Sequence, residues 1–524
     1  MSPLQRSVYW RLCLLYFFTP FLFFLDIFTA AVAAETCHHD NGTVSRRGSL
    51  PPTIESNQSE REEVSKDEAD WTTDRESVCG WTSWLSYGQN VYMMGLLLGS
   101  LVGGAMSDRY GKRPVLLVCV CMHAVCGLVP AVLSQPLLFL TIRCLTAFSC
   151  CCISICAFSL AVEWTLPGAR LWPPAVLPFC FSLGTMGGAS LAWLSPSWTL
   201  LHLSLALPQL VCLPLYLSIP ESPHWLLLQR KMDVLEHYRG NSPKDKQYLE
   251  LLLDSAWSDL QKSTEAQMET LGAHAPSSIT HLKHPTILLR LFIMSYLSAT
   301  SALTYFGICM NIGSFGVGVY TAQFFSGLSE APCLLVPLIR LGRRPISMLA
   351  LFLSGTACFL SLLMSRYNGE PVLVMALALL GKLCILAATF ISILYSIELF
   401  PTVVRQRCIS LVNLSFRLGC LATTFMPSTP GRAISLVAMV VYSSGPIIGC
   451  GLCMLLPETS GIPLPDSLKD CERQHQPHPS STVTLWRLKK QVDSQIKKTE
   501  ILPTEKVNVQ TPNTISVSCR DLIL

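Results

Sequence analysis

The chain has 524 residues, 50% of them hydrophobic and only 14% charged, with a mean hydropathy of +0.43. Soluble domains carry nearer a quarter charged residues, so this composition excludes a water-soluble globular protein and points to a bilayer one. The formal net charge of +4 is too small to suggest a nucleic-acid partner. With no Walker loop, no Ser/His/Asp array and no metal-ligand spacing, enzyme activity, a cofactor, a metal site and ATP-driven transport are not expected.

A spanning helix needs about 20 mostly apolar residues. In chain order the runs that qualify are 12–34, 86–106, 114–134, 138–162, 172–194 and 198–219, then 287–309, 312–338, 345–365, 371–397, 408–428 and 433–456. They predict an all-α membrane protein of twelve transmembrane helices in two six-helix halves. The expected organisation is an N-terminus with the first span (1–34), an outer loop (35–85), spans two to six (86–219), a central loop (220–286), spans seven to twelve (287–457) and a disordered tail (458–524).

The first segment carries Arg6 and Arg11 ahead of its apolar stretch and small residues from Ala30 to Ala34, features shared with a cleavable leader. Retention as the first helix preserves the six-plus-six symmetry and is the reading adopted. The polar loop that follows holds the sequons Asn41-Gly42-Thr43 and Asn57-Gln58-Ser59, candidate glycosylation sites. Cys37 and Cys79 lie in the same loop, where an oxidising compartment permits a disulfide between them. Most of the 23 cysteines, such as Cys150, Cys151, Cys152 and Cys156, fall in apolar runs and are expected to pack as small apolar side chains.

Two basic turns stand out, Asp108-Arg109-Tyr110-Gly111-Lys112-Arg113 in the first half and Arg340-Leu341-Gly342-Arg343-Arg344-Pro345 in the second. Their corresponding positions indicate a duplicated architecture. Positive loops stay on the cytoplasmic side. Arg109, Lys112, Arg113, Arg170, Arg340, Arg343, Arg344, Arg405 and Arg407 share one side if both termini are cytoplasmic, whereas the opposite short loops hold little beyond Arg366 and Arg432. The glycosylatable loop and the lack of a retrieval signal lean towards the plasma membrane. In the central loop, Leu249, Leu252, Leu253, Trp257 and Leu260 have helical spacing and predict short amphipathic helices on the inner surface. The tail's Lys/Arg residues fit contact with anionic lipid, and its closing Leu522-Ile523-Leu524 fits a hydrophobic-type PDZ groove.

Charges deep in a span carry more information, because each costs about 2.5–3.5 kcal/mol at mid-membrane unless it faces a cavity or a partner. Arg417 stands near the middle of the eleventh run, in Ser415-Phe416-Arg417-Leu418-Gly419. It either lines a cavity or pairs with Glu330 or Glu398. Asp26 is either pore-facing or near the end of its helix, and Arg143 heads the fourth run.

Several motifs identify a family. Asp108-Arg109 and its turn resemble the signature of the major facilitator superfamily. Pro220-Glu221-Ser222-Pro223-His224-Trp225-Leu226-Leu227, Glu398-Leu399-Phe400-Pro401-Thr402-Val403-Val404-Arg405, Leu456-Pro457-Glu458-Thr459, Pro463-Leu464-Pro465-Asp466 and Asp74-Arg75-Glu76-Ser77-Val78-Cys79 narrow it. Together they look like solute carrier family 22, the organic anion, cation and carnitine transporters, over nearly all of the chain up to about 470. The resemblance implies the major facilitator fold and a secondary transporter of small organic ions working by alternating access. It also implies a conformational latch at the cytoplasmic face, built from Asp108, Arg109, Arg113, Glu163, Arg170, Glu398, Arg405, Arg343 and Arg344. Anion-transporting members have an arginine in the segment matching Arg417. Lys382 matches a family Gly-Lys pattern, and Tyr305, Phe306 and Phe390 fall where members place aromatic cavity walls, which makes these five the substrate-binding candidates.

The chain departs from the family pattern in places. Ile339 stands where the repeat would want Asp, Cys333 and Leu334 stand where anion transporters carry a lysine, and Trp198-Thr199 replaces a Trp-Arg pair. The expected substrate is an organic anion. The alternatives are an organic cation or carnitine, with Glu330 or Asp26 as counter-charge, and a receptor or scaffold that binds without translocating.

Overall fold

The structure is a computed structural model that describes residues 3–32, 82–132, 135–166, 172–195, 197–229, 231–239, 245–254, 257, 261, 284–312, 317–332, 342–367, 369–426 and 436–459. These belong to one compact unit, Met1–Glu472, and the second unit, Arg473–Leu524, lies outside them. The outer-loop positions Asn41, Asn57, Cys37 and Cys79, the latch candidate Arg170, and the C-terminal Leu522-Ile523-Leu524 also lie outside the described residues.

The first half contains α1 (Pro3–Val32), α2 (Thr82–Tyr110), α3 (Lys112–Leu128), α4 (Pro136–Glu163), α5 (Pro173–Trp193) and α6 (Trp198–Leu217). The second contains α7 (Pro285–Met310), α8 (Val319–Glu330), α9 (Arg343–Arg366), α10 (Pro371–Leu399), α11 (Thr402–Ala422) and α12 (Leu436–Cys453). Ten of the predicted spans are long and apolar enough to cross a bilayer; α8 and α12 are the shorter two within the described residues. The first helix begins at Pro3, nine residues earlier than hydropathy alone predicts, because Arg11 reaches the Ser218 carbonyl at 2.7 Å and the Leu4 amide donates to Asp245 at 3.1 Å.

Local sequence explains many of the boundaries. Proline stands in the first turn of α4, α5, α7 and α10, where its fixed φ suits the helix and its missing N–H is not needed. Between α2 and α3 the chain turns on Gly111, whose φ of +98° disfavours any residue with a Cβ.

Both halves repeat one packing scheme. In the first, α1 packs on α5, α2 on α4, and α3 on α4 and α6; in the second, α7 packs on α11, α8 on α10, and α9 on α10 and α12. Lipid supplies little hydrophobic drive between helices, so close approach through small residues matters. Gly99 of α2 sits against Phe148 and Cys151 of α4, and Gly103 against Cys152. Cys150, Cys151, Cys152 and Cys156 are buried free thiols in the cores of this half. A helical stretch at 245–254 from the central loop docks beneath the first half, with Leu249 and Leu252 buried beside Val8, Trp164 and Tyr216. Trp257 of the same predicted stripe is exposed.

The two halves meet through α5 on α8 and α2 on α11. Aromatic stacking adds two further bridges, Phe28 on Tyr320 (centroids 5.8 Å apart) and Phe23 on Phe306 (6.0 Å). All four of these rings lie from mid-span towards the end of the bundle remote from the basic turns.

Candidate functional site

At the end bearing the basic turns, the halves carry matching polar networks. In the first half, Glu221 accepts the backbone N–H groups of Lys112 (3.1 Å) and Arg113 (3.2 Å) at the start of α3. Glu163, at the end of α4, pairs with the Lys112 ammonium and accepts the Ser222 hydroxyl. In the second half, Glu458 accepts the backbone N–H groups of Arg343 (2.9 Å) and Arg344 (3.1 Å) at the start of α9. Glu398, at the end of α10, pairs with Arg343 at 3.2 Å and accepts the Thr459 hydroxyl at 2.6 Å. A carboxylate at a helix N-terminus satisfies orphan donors and opposes the positive end of the dipole.

Five of the expected latch residues therefore fall in two repeat-related clusters. The Arg113 guanidinium donates to the Leu217 carbonyl at 2.8 Å, and Arg344 to that of Met454 at 2.6 Å. Of the remaining members, Asp108, Arg109 and Arg405 are described. Asp108 and Arg109 are exposed, Trp225 donates to the Asp108 carbonyl at 3.0 Å, and Arg405 donates to the Phe400 carbonyl at 3.0 Å. Each described ion pair here stays within its own half. Sequence reasoning missed Lys112, Glu221, Ser222, Glu458 and Thr459 as members. Their signal was the repeat itself: a Gly-(Lys/Arg)-Arg-Pro turn in each half, matched with a Pro-Glu-(Ser/Thr) after α6 and α12.

Deeper in the bundle, among the described residues, five Asp, Glu, Lys or Arg side chains lie well inside the spans: Asp26, Arg143, Glu330, Lys382 and Arg417. Arg143 of α4 is buried and pairs with Asp26 of α1 at 2.6 Å, donates to the Leu22 carbonyl at 3.0 Å and lies 4.4 Å over the Tyr92 ring. Lys382 of α10 is fully buried, 2.6 Å from Glu330 of α8 and 5.0 Å over the Tyr305 ring; it also donates to Ser326. Glu330 further accepts the hydroxyls of Tyr305 (2.6 Å) and, across the halves, Ser182 of α5 (2.9 Å). Lys382 and Tyr305 thus join a single network with Glu330.

Arg417 of α11 differs. It is half-buried, and among the described residues it has no acidic partner, since Glu330 is held by Lys382 and Glu398 by Arg343. Its charge is felt by Cys150 and Cys151 of α4 and Tyr16 of α1 in the other half, as well as by Cys420 of its own helix. Its guanidinium lies 5.8 Å from the ring of the adjacent Phe416. Phe416 touches Phe306 at 6.4 Å, which touches Tyr305 at 5.1 Å, so rings connect Arg417 to the Lys382 network. Phe390 of α10 is half-buried and stands apart from these described ring contacts.

The family profile described as "Sugar (and other) transporter" matches residues 12–466. Human solute carrier family 22 member 13 is 31% identical over 400 residues, covering 75% of this chain and 69% of that protein. The chain belongs to solute carrier family 22. Rat solute carrier family 22 member 6 is 28% identical over 401 residues (75% of this chain, 71% of that protein), and rabbit organic anion transporter 3 is 29% identical over 408 residues (76% and 74%). Among solved structures, the proton:xylose symporter XylE bound to 6-bromo-6-deoxy-D-glucose superposes with a TM-score of 0.58 at 13% identity, covering 90% of this chain and 100% of that one. The inward-open xylose transporter XylE from E. coli gives 0.57 at 16% identity, covering 88% and 98%. At these identities the likeness establishes the major facilitator fold and nothing finer.

Proposed function

We propose that this chain is a secondary, alternating-access transporter of organic anions, with Arg417 as the cation that receives the substrate. One observation carries the reading. Of three cations deep in the spans, Arg143 and Lys382 are each neutralised by a carboxylate, while Arg417 is half-buried and has no acidic partner among the described residues. An uncompensated guanidinium inside a membrane bundle is costly unless an anion visits it, and its planar fork suits a carboxylate or sulfate. The relative named organic anion transporter 3 supports the same assignment. The cation and carnitine alternative is not favoured, because both acidic groups it needs, Asp26 and Glu330, are already paired. Phe306 and Phe416 supply flat apolar area beside the charge. Lys382 acts through Glu330 rather than on the substrate.

The protein works as a carrier, not an enzyme, in the plasma membrane, with both termini cytoplasmic. The basic-end clusters, each closed on its own half, are the latch in its released position, and the stacked aromatic pairs hold the opposite end shut. The test is uptake by oocytes expressing the protein, with surface abundance verified. Labelled sulfate and carboxylate conjugates are compared with a quaternary ammonium and carnitine, for wild type and Arg417→Ala. Anion uptake that collapses in a surface-expressed Arg417→Ala variant is the expected result. Cation uptake insensitive to Arg417 overturns the assignment, and no uptake of any tracer favours a non-transporting receptor.

A further inference from the structure

The charge arrangement that marks Arg417 as the anion site also limits how much negative charge that site can take. Glu330 cancels Lys382 at 2.6 Å and Asp26 cancels Arg143 at 2.6 Å, which leaves one unpaired deep cation among the described residues. Arg11 and Arg290 belong to the basic end, where they donate to the carbonyls of Ser218 and Leu399. We propose that the site selects organic monoanions and discriminates against dianions. The proposal rests on the reading of Arg417 as the anion-receiving cation and adds the charge class of the substrate.

The geometry gives the reason. Arg417 is joined to Lys382 and Glu330 by a packed chain of rings, Phe416, Phe306 and Tyr305, so these are the charged groups that surround an anion held at Arg417. A second anionic group on that ligand finds the Lys382 ammonium buried and already neutralised by Glu330. It loses its hydration without gaining a cation, the situation in which buried charge is most costly. A monoanion has no second charge to desolvate.

The probes are naphthalene-2-sulfonate and naphthalene-2,6-disulfonate, matched in ring system and fixed at one and two negative charges across the pH range of cells. Uptake into oocytes is normalised to surface abundance for wild type, Glu330→Gln, the charge-balanced double variant Glu330→Gln/Lys382→Gln, and Arg417→Ala. Wild type is expected to prefer the monosulfonate by at least about tenfold. Glu330→Gln, which uncovers the Lys382 charge, raises the disulfonate-to-monosulfonate ratio, and the double variant returns it towards wild type. Equal wild-type uptake of both probes, still lost in Arg417→Ala, overturns the monoanion proposal and leaves the anion assignment standing. A ratio unmoved by Glu330→Gln at normal surface abundance also overturns it. Absence of Arg417-dependent uptake of either probe overturns the underlying anion reading, and the proposal with it.

Discussion

Lys382 and Glu330 meet 2.6 Å apart on facing helices of the second half, and the same carboxylate accepts the Ser182 hydroxyl of the first. One buried ion pair therefore serves packing within a half and contact between halves. Removing one partner of such a pair strands the other charge, which costs about 3–5 kcal/mol, whereas removing both together costs far less. Lys382→Met is expected to lower the thermal midpoint of detergent-solubilised protein sharply. Glu330→Gln/Lys382→Met is expected to recover most of that loss. Fluorescence-detected size-exclusion after heating reads both, and a double variant no better than Lys382→Met would show that the pair is not the unit that matters.

Asp26 binds the first helix to Arg143 by the same logic, reinforced by the Leu22 carbonyl and the Tyr92 ring. A leader cleaved after Ala34 would remove Asp26 and Leu22 and leave Arg143 in the bundle interior without its carboxylate. The first segment is therefore expected to remain in the mature protein. An epitope placed ahead of Pro3 should still be present on the full-length band at the cell surface. Loss of that epitope with retention of a C-terminal one would mean that the segment is a leader after all.

How much of this was legible in the sequence depended on whether a feature is local or relational. Hydropathy found the spans because twenty apolar residues are a local property, though it began α1 late, since Arg11 looked like a flank until the Ser218 carbonyl accounted for it. Arg417 was identified by its depth in the span and by the family resemblance of its segment. Its lack of an acidic partner among the described residues could not be read, because that depends on Glu330 choosing Lys382 and Glu398 choosing Arg343, choices made by helix packing. Arg143 looked like the head of a helix and proves to be a buried partner of Asp26, more than a hundred residues away. The basic-end clusters were half seen. Charges at the turns were visible, but Glu221 and Glu458 act through backbone N–H groups, so only the repeat of Pro-Glu-(Ser/Thr) after α6 and α12 marks them in the sequence.

Those two carboxylates give a paired prediction. Glu221 caps α3 and Glu458 caps α9, each accepting two backbone N–H groups from the first turn. Loss of a capping side chain costs about 0.5–2 kcal/mol. Glu221→Ala and Glu458→Ala should each destabilise by about that amount. Because the two sites belong to separate clusters, their effects should add to within a few tenths of a kcal/mol. Thermal midpoints of the two single variants and the double variant test this. A double variant markedly worse than the sum would indicate that the clusters communicate across the halves.

Packing of α2 on α4 offers a prediction with an internal control. A Cβ built at Gly99 would lie 2.7 Å from the Phe148 carbonyl oxygen and 2.8 Å from the Cys151 Cβ, both on a buried helix that cannot retreat without disturbing the core. Five residues along the same helix, Gly104 has nothing within 4 Å of the corresponding position. Helix propensity favours alanine over glycine equally at both sites, by about 1 kcal/mol. Gly104→Ala should therefore leave stability unchanged or slightly raised. Gly99→Ala should lower it by about 1–3 kcal/mol, the usual cost of overpacking a filled interface. Surface abundance and thermal midpoint measured side by side decide the matter. Equal behaviour of the two variants would mean that α2 and α4 are free to separate, and that the glycine–cysteine interface is not what sets their spacing.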